Sequence, residues 1–270
     1  MTEEYHFPEL APLTEEAYRV LGNYTPRIPL HVCSCEMCMP HDYQREKFSV
    51  PVRDLDIGLL QAWEESAASS EKVARDQGQP VTEAWMNEVK TFLPRIFETI
   101  ACGHSPSNLG IENAFRTVAL ANWPSWPETE RATLLRFAET YFLARLSLVE
   151  VSFAPIGHVL SLDTDGADVA VALIILGLKP ERVITLWEKA PDPMAAVHLA
   201  EARRSLEYDY DEMGYLFRSV WLDDKTALAS LGDFLSSPEA DKRLEAAFFS
   251  LEGDDHDTKA QREILSRAIG

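Results

Sequence analysis

Three of the chain's four cysteines fall within six residues, in His31-Val32-Cys33-Ser34-Cys35-Glu36-Met37-Cys38-Met39-Pro40-His41. Thiolates are soft ligands, and zinc takes about four soft or borderline donors in a tetrahedron. Cys33, Cys35 and Cys38 put three thiolates on one short loop, with His41 as a downstream donor for the fourth position. His31, or Cys102 and His104 on either side of Gly103, are alternative fourth ligands. A lone knuckle is half of the usual zinc framework, which joins two separated ligand pairs. Two other readings compete with it. The thiols could be small apolar groups packed in a loop. Alternatively, Cys35 and Cys38 could form a redox pair, but such pairs head a helix after a strand, a context this sequence lacks.

Other chemical patterns are better explained by structure. Asp163-x-Asp165-Gly166-x-Asp168 resembles part of a calcium loop without its later ligands, and helix capping accounts for it. His198 and Glu201 lie three apart on one helix, in the reverse of the di-iron order and without a second copy. His198 is therefore expected at a surface or boundary. Tyr208 to Glu212 is expected as a solvated acidic loop. Nucleotide-binding glycine loops, HExxH and GxSxG are absent, as is any alternation of strand and helix.

The elements that position the cysteines read as helices. Pro26, Pro29 and Pro40 keep the cysteine segment out of regular helix. Residues 1 to 13 form an arm. Thr14 reads as a helix start and Gly22 as its stop. Asp56 caps a helix through Trp63. Residues 66 to 80, small and polar, read as a loop and hinge. From Thr82 an apolar face recurs through Trp85, Val89, Phe92, Leu93, Ile96 and Ile100, with Pro94 predicted to kink or divide it. Further helices are expected over 111–121, from Glu128 to about Val151, over Val169–Leu176, from Pro180 to Lys189 and from Asp192-Pro193 to about Leu206. Three more open at Asp224, Ser237-Pro238 and Asp257. For Val169–Leu176 the β-branched content makes a strand the alternative.

The expected fold is all-α, with antiparallel helical hairpins stacked in one domain. Residues 1–55 form an irregular region carrying the cysteine cluster, and residues 56–270 a helical domain with a single continuous core.

The pairing of Pro29-Leu30-His31-Val32-Cys33 with Phe92-Leu93-Pro94-Arg95 resembles a group of uncharacterised bacterial proteins. Those proteins carry a cysteine-containing segment near the N-terminus and an FLPR stretch in a helix. The resemblance spans the first third of the chain and implies no activity.

Composition narrows the function classes. The 270 residues carry a net charge of −19, which repels phosphate backbones and anionic lipid surfaces, so neither nucleic acid nor membrane is an expected partner. No secretory leader is visible, and the longest apolar run, Val169 to Leu178, is about half a membrane span. A cytoplasmic location follows, where clustered thiols more often bind metal or react than form disulfides. The preferred expectation is a non-enzymatic helical interaction or scaffold protein, with zinc at Cys33, Cys35, Cys38 and His41. The competing one is a metal- or thiol-dependent enzyme using the same segment, with His104 as base. A third is an acidic protein that binds a basic partner.

Overall fold

The computed structural model describes residues 4–36, 38–153, 160–162, 166–208 and 225–269. His158, residues 163–165, and the acidic and apolar segment over 209–222 lie outside the described residues. The fold is all-α. Among the described residues the one departure is a three-pair antiparallel ladder between β1 (Val151–Phe153) and β2 (Leu160–Leu162). No helix among them is long and apolar enough to cross a membrane. The chain divides into two compact units, Met1–Tyr141 and Phe142–Gly270, with the division inside α6 (Glu128–Leu146). The sequence placed its change of character at residue 55, and both sides of that position lie in the first unit.

The first unit holds α1 (Ala11–Leu21), α2 (His41–Lys47), α3 (Ile57–Asp76), α4 (Glu83–Ala101), α5 (Ile111–Leu120) and most of α6. α4 is its axis. Thr82 caps α4 as expected, its hydroxyl accepting from the Trp85 amide at 3.1 Å. Its apolar stripe is buried through Trp85, Val89, Phe92, Leu93, Ile96, Phe97 and Ile100. α1 and α3 pack against it. Trp63 of α3 meets Phe92 with ring centroids 4.5 Å apart, and Phe97 stacks on Phe137 at 3.7 Å. The N-terminal arm is packed, not loose: Phe7 and Leu10 are buried, and the Phe7 amide donates to the Ala101 carbonyl.

Three expectations need correction here. Helix α1 starts at Ala11, and Thr14 lies inside it, its hydroxyl donating to the Leu10 carbonyl at 3.0 Å. Residues 66 to 76 are helix, not loop. Ala67 and Ala68 are buried, Lys72 pairs with Asp76 one turn on, and Arg75 pairs with Glu71, so small residues pack and charges support the turn. Pro94 does not divide α4, which runs unbroken from Glu83 to Ala101. Proline removes one backbone hydrogen bond. Burial of residues 88–97 on all sides holds the helix through that gap.

The second unit contains the end of α6, then α7 (Gly166–Leu176), α8 (Pro180–Lys189), α9 (Met194–Tyr208), α10 (Lys225–Leu235), α11 (Pro238–Ser250) and α12 (His256–Ile269). Apart from Asp168, α7 is apolar, and all of it but Asp168 and Ile175 is buried, which is where such a helix must sit. It begins at Gly166, two residues before the expected cap Asp168, and ends at Gly177 with φ 107°. α8 matches its expected bounds. Ser237 caps α11 through the Ala240 amide, and Asp255 holds the Thr258 amide at the head of α12. His198 is fully buried, against the surface position expected of it. The alanines of α9 bring that helix tight against α7, so the ring is enclosed.

Candidate metal site

Cys33, Cys35 and Cys38 lie with their sulfurs within 4.8 Å of one another, all three exposed. The Cys33 thiol contacts the Cys35 sulfur at 3.4 Å. The backbone makes this gathering. Between Pro29 and Pro40 the chain turns on itself, with the Cys38 amide donating to the Cys35 carbonyl and the Met39 amide to the Cys33 carbonyl. In a tetrahedral zinc site with bonds of about 2.3 Å, sulfurs stand about 3.8 Å apart. Shifts of no more than about 1 Å per pair would bring these three to that spacing. The three close cysteines could hold a metal ion.

Without a cation the thiols oppose one another's ionisation. The Cys38 thiol donates toward the sulfurs of Cys35 and Cys33, which holds its proton and pushes it up to about 11. A bound cation reverses that balance, because thiolate is the ligand form and ions of this class deprotonate it outright.

The body of the first unit holds the loop at both ends. Upstream, the His31 amide donates to both carboxylate oxygens of Glu88 at 3.0 Å, and the Trp63 indole donates to the same carboxylate at 2.7 Å. The His31 ring lies against Trp85, and its Nε2 meets the Glu71 carboxylate at 3.0 Å. Glu71 is 1% exposed and is also paired with Arg75 at 2.5 Å. Burial pushes the Glu88 carboxyl up to about 7, against the pull of the indole and amide donors. Burial also raises Glu71, against Arg75 and His31. Downstream, the fully buried Gln44 of α2 accepts from the Leu30 amide at 2.7 Å and donates to the Met39 carbonyl at 2.6 Å. The Cys33 amide donates to Ser66 on α3.

The candidate fourth ligands are placed as follows. His41 opens α2, is exposed, and is not among the clustered ligand atoms. His31 is engaged by Glu71 and Glu88. Cys102 and His104 stand at the far end of α4, and from Glu88 to Cys102 the helix rises about 21 Å. There Gly103, at φ 80°, packs against His6.

Glu64, Glu71, Glu88, Gln44 and Ser66 went unnoticed in the sequence. A signal existed for two of them. On α3 the buried positions Leu60, Trp63, Glu64, Ala67 and Glu71 recur at helical spacing, so two acids stand on the apolar stripe. Glu64 holds α5 to α3 through Asn113 at 2.6 Å and Thr117 at 2.5 Å, and its burial raises its carboxyl.

No family, curated protein or solved structure matches the chain. Its chemistry is therefore read from its own residues.

Proposed function

We propose that the chain is a helical scaffold or interaction protein, not an enzyme, whose Cys33–Cys38 loop binds zinc. One observation carries the reading: three exposed thiols of one short loop lie at nearly the spacing that tetrahedral zinc requires. Soft sulfur donors favour zinc over hard cations such as magnesium or calcium. The loop itself has little apolar content, so an ion across its three sulfurs would fix a tip that packing leaves exposed. Two cavities open in the same unit, of about 620 and 230 Å³. The larger is lined by Tyr43, Lys47, Asp54 and Leu59 among others, the smaller by Tyr24, Arg27, Glu83 and Asn87 among others, and neither includes a thiol of the loop or His104.

Elemental analysis of the purified chain, paired with titration of its native thiols, tests the proposal. One zinc per chain is expected, with the three loop thiols protected from reagent until a chelator is added. The double variant Cys35→Ser, Cys38→Ser should lose the ion and melt several degrees lower. A metal-free native chain with three freely reactive thiols would overturn the zinc reading. A double variant of unchanged melting temperature would overturn the stabilising role.

A further inference from the structure

We infer that Cys33 and Cys35 are a site of reversible oxidation: a hydroperoxide closes them to a disulfide and leaves Cys38 as a thiol. Their sulfurs meet at 3.4 Å, inside a group of three that lies within 4.8 Å. A disulfide bond is about 2.05 Å long, so the pair must close by about 1.4 Å. Spacing alone suggests Cys35 with Cys38, as in redox motifs that head a helix. The sulfur contact pairs Cys35 with Cys33 instead. Both side chains are exposed, as attack by a small oxidant requires. The loop is shaped by main-chain groups: the Cys33 amide donates to Ser66, the Met39 amide to the Cys33 carbonyl and the Cys38 amide to the Cys35 carbonyl. None of these bonds uses a sulfur, so oxidation of the pair removes no donor or acceptor that shapes the loop. Cys102, at the far end of α4, stands outside the group.

The chemistry balances with the hydroperoxide as oxidant. One sulfur of the pair, as thiolate, attacks the OH oxygen of the peroxide. A sulfur–oxygen bond forms, the oxygen–oxygen bond breaks, and the leaving oxygen takes the thiol's proton, as an alcohol or as water. The second sulfur then attacks this sulfenic acid. The sulfur–sulfur bond forms, the sulfur–oxygen bond breaks, and hydroxide leaves as water with the second thiol's proton. The two thiols lose two electrons and the peroxide gains them. An exposed bridge over so few residues gains little from chain entropy and stays open to reduction by a thiol. The consequence for metal, unlike the bridge itself, rests on the thiolate–metal reading above. A bridge takes two of the three sulfurs from the ion, so oxidation and zinc exclude each other.

The full chain, reduced and stripped of metal by a chelator, is treated with one equivalent of hydrogen peroxide, trapped in acid, alkylated and mapped by tandem mass spectrometry. The expected product is a monomer lighter by two hydrogens, bridged between Cys33 and Cys35, with Cys38 and Cys102 alkylated. Glutathione should restore all four thiols. Cys38→Ser should give the same bridge. A bridge to Cys38, sulfinic acids without a bridge, or dimers linked between chains would overturn the inference. A bridge that glutathione leaves intact would overturn its reversibility. A parallel sample loaded with one equivalent of zinc separates this from the metal reading. Release of one zinc per bridge formed, read with a chromogenic chelator, is the expected result. A bridge that forms while zinc stays bound would overturn the exclusion. A chain that takes up no zinc yet forms the Cys33–Cys35 bridge would overturn the metal reading and leave the oxidation site standing.

Discussion

In Met1–Tyr141 three buried polar groups, Glu88, Glu71 and Gln44, reach outward to an exposed loop, whereas in Phe142–Gly270 His198 and Arg243 tie helix ends to other segments. Glu88, Glu71 and Gln44 each bond at least one residue that brackets the cysteines. In the second unit the His198 ring accepts from the Gly166 amide at 3.1 Å and meets the Leu148 carbonyl at 2.9 Å, joining the head of α7 to the segment after α6. Arg243 donates to the Trp187 and Ala190 carbonyls and pairs with Asp192, closing the end of α8. Buried polar groups must be satisfied wherever they are. In one unit the partners are the fold's own helix termini. In the other, the partners of Glu88, Glu71 and Gln44 include a loop that has no helical or sheet bonds of its own.

The comparison breaks most visibly at Trp63. This fully buried ring packs on Phe92 and donates to Glu88, so it joins the apolar core to the loop anchor. Trp63→Ala should destabilise the first unit by about 3–5 kcal/mol, as large-to-small core changes do. Hydrogen exchange followed by mass spectrometry should show lost protection in α3, α4 and the cysteine segment together. Loss confined to α3 would mean that Glu88 holds the loop without the indole, and the link drawn here between core and loop would fail.

The two units should also answer pH in opposite senses. Burial raises the Glu88, Glu71 and Glu64 carboxyls of the first unit, with Glu88 at about 7 against 4.5. A raised folded-state value means that the stability linked to the proton is present below about 4.5 and is lost as pH rises through 7. His198 is the reverse case: burial lowers it from 6.5 to about 4, the neutral ring bridging an amide and a carbonyl. Its contribution is present above 6.5 and is lost as pH falls toward 4, to a limit of about 3 kcal/mol. Moving from pH 7.5 to 5 should therefore tighten α3 and α4 while loosening α7 and α9, read by exchange corrected for the intrinsic pH dependence of amide rates. Movement of both units in the same direction would remove the distinction.

These polar anchors show where sequence reading succeeds and where it stops. Helix boundaries set by local chemistry were legible: Thr82 and Ser237 at caps, Pro180 at a first turn, Gly177 at a stop. The cysteine gathering was legible as well, because loop closure between prolines is local. The anchors were not. The bond from His31 to Glu88 spans 57 residues and that from Cys33 to Ser66 spans 33, and no local rule says which acid on a helix will face inward. Residues 66 to 76 misled for a related reason. Small polar residues mark a loop when solvated and a helix when a neighbour covers them, and covering is a tertiary fact.

Gln44 gives the finest test of the contrast, because its role is wholly polar. The side chain is fully buried in α2 and joins the Leu30 amide to the Met39 carbonyl, one on each side of the cysteines. In Gln44→Ala the helix keeps a strong helix former. Two buried backbone groups then lose their partner, which costs on the order of 2 kcal/mol. The Leu30 amide should exchange far faster while amides of α7 and α9 keep their rates. Zinc affinity should fall as well, since the loop would have to be ordered by the ion in place of the clamp. If affinity holds and Leu30 stays protected, the upstream contacts with Glu88 and Glu71 suffice to fix the loop without the Gln44 clamp.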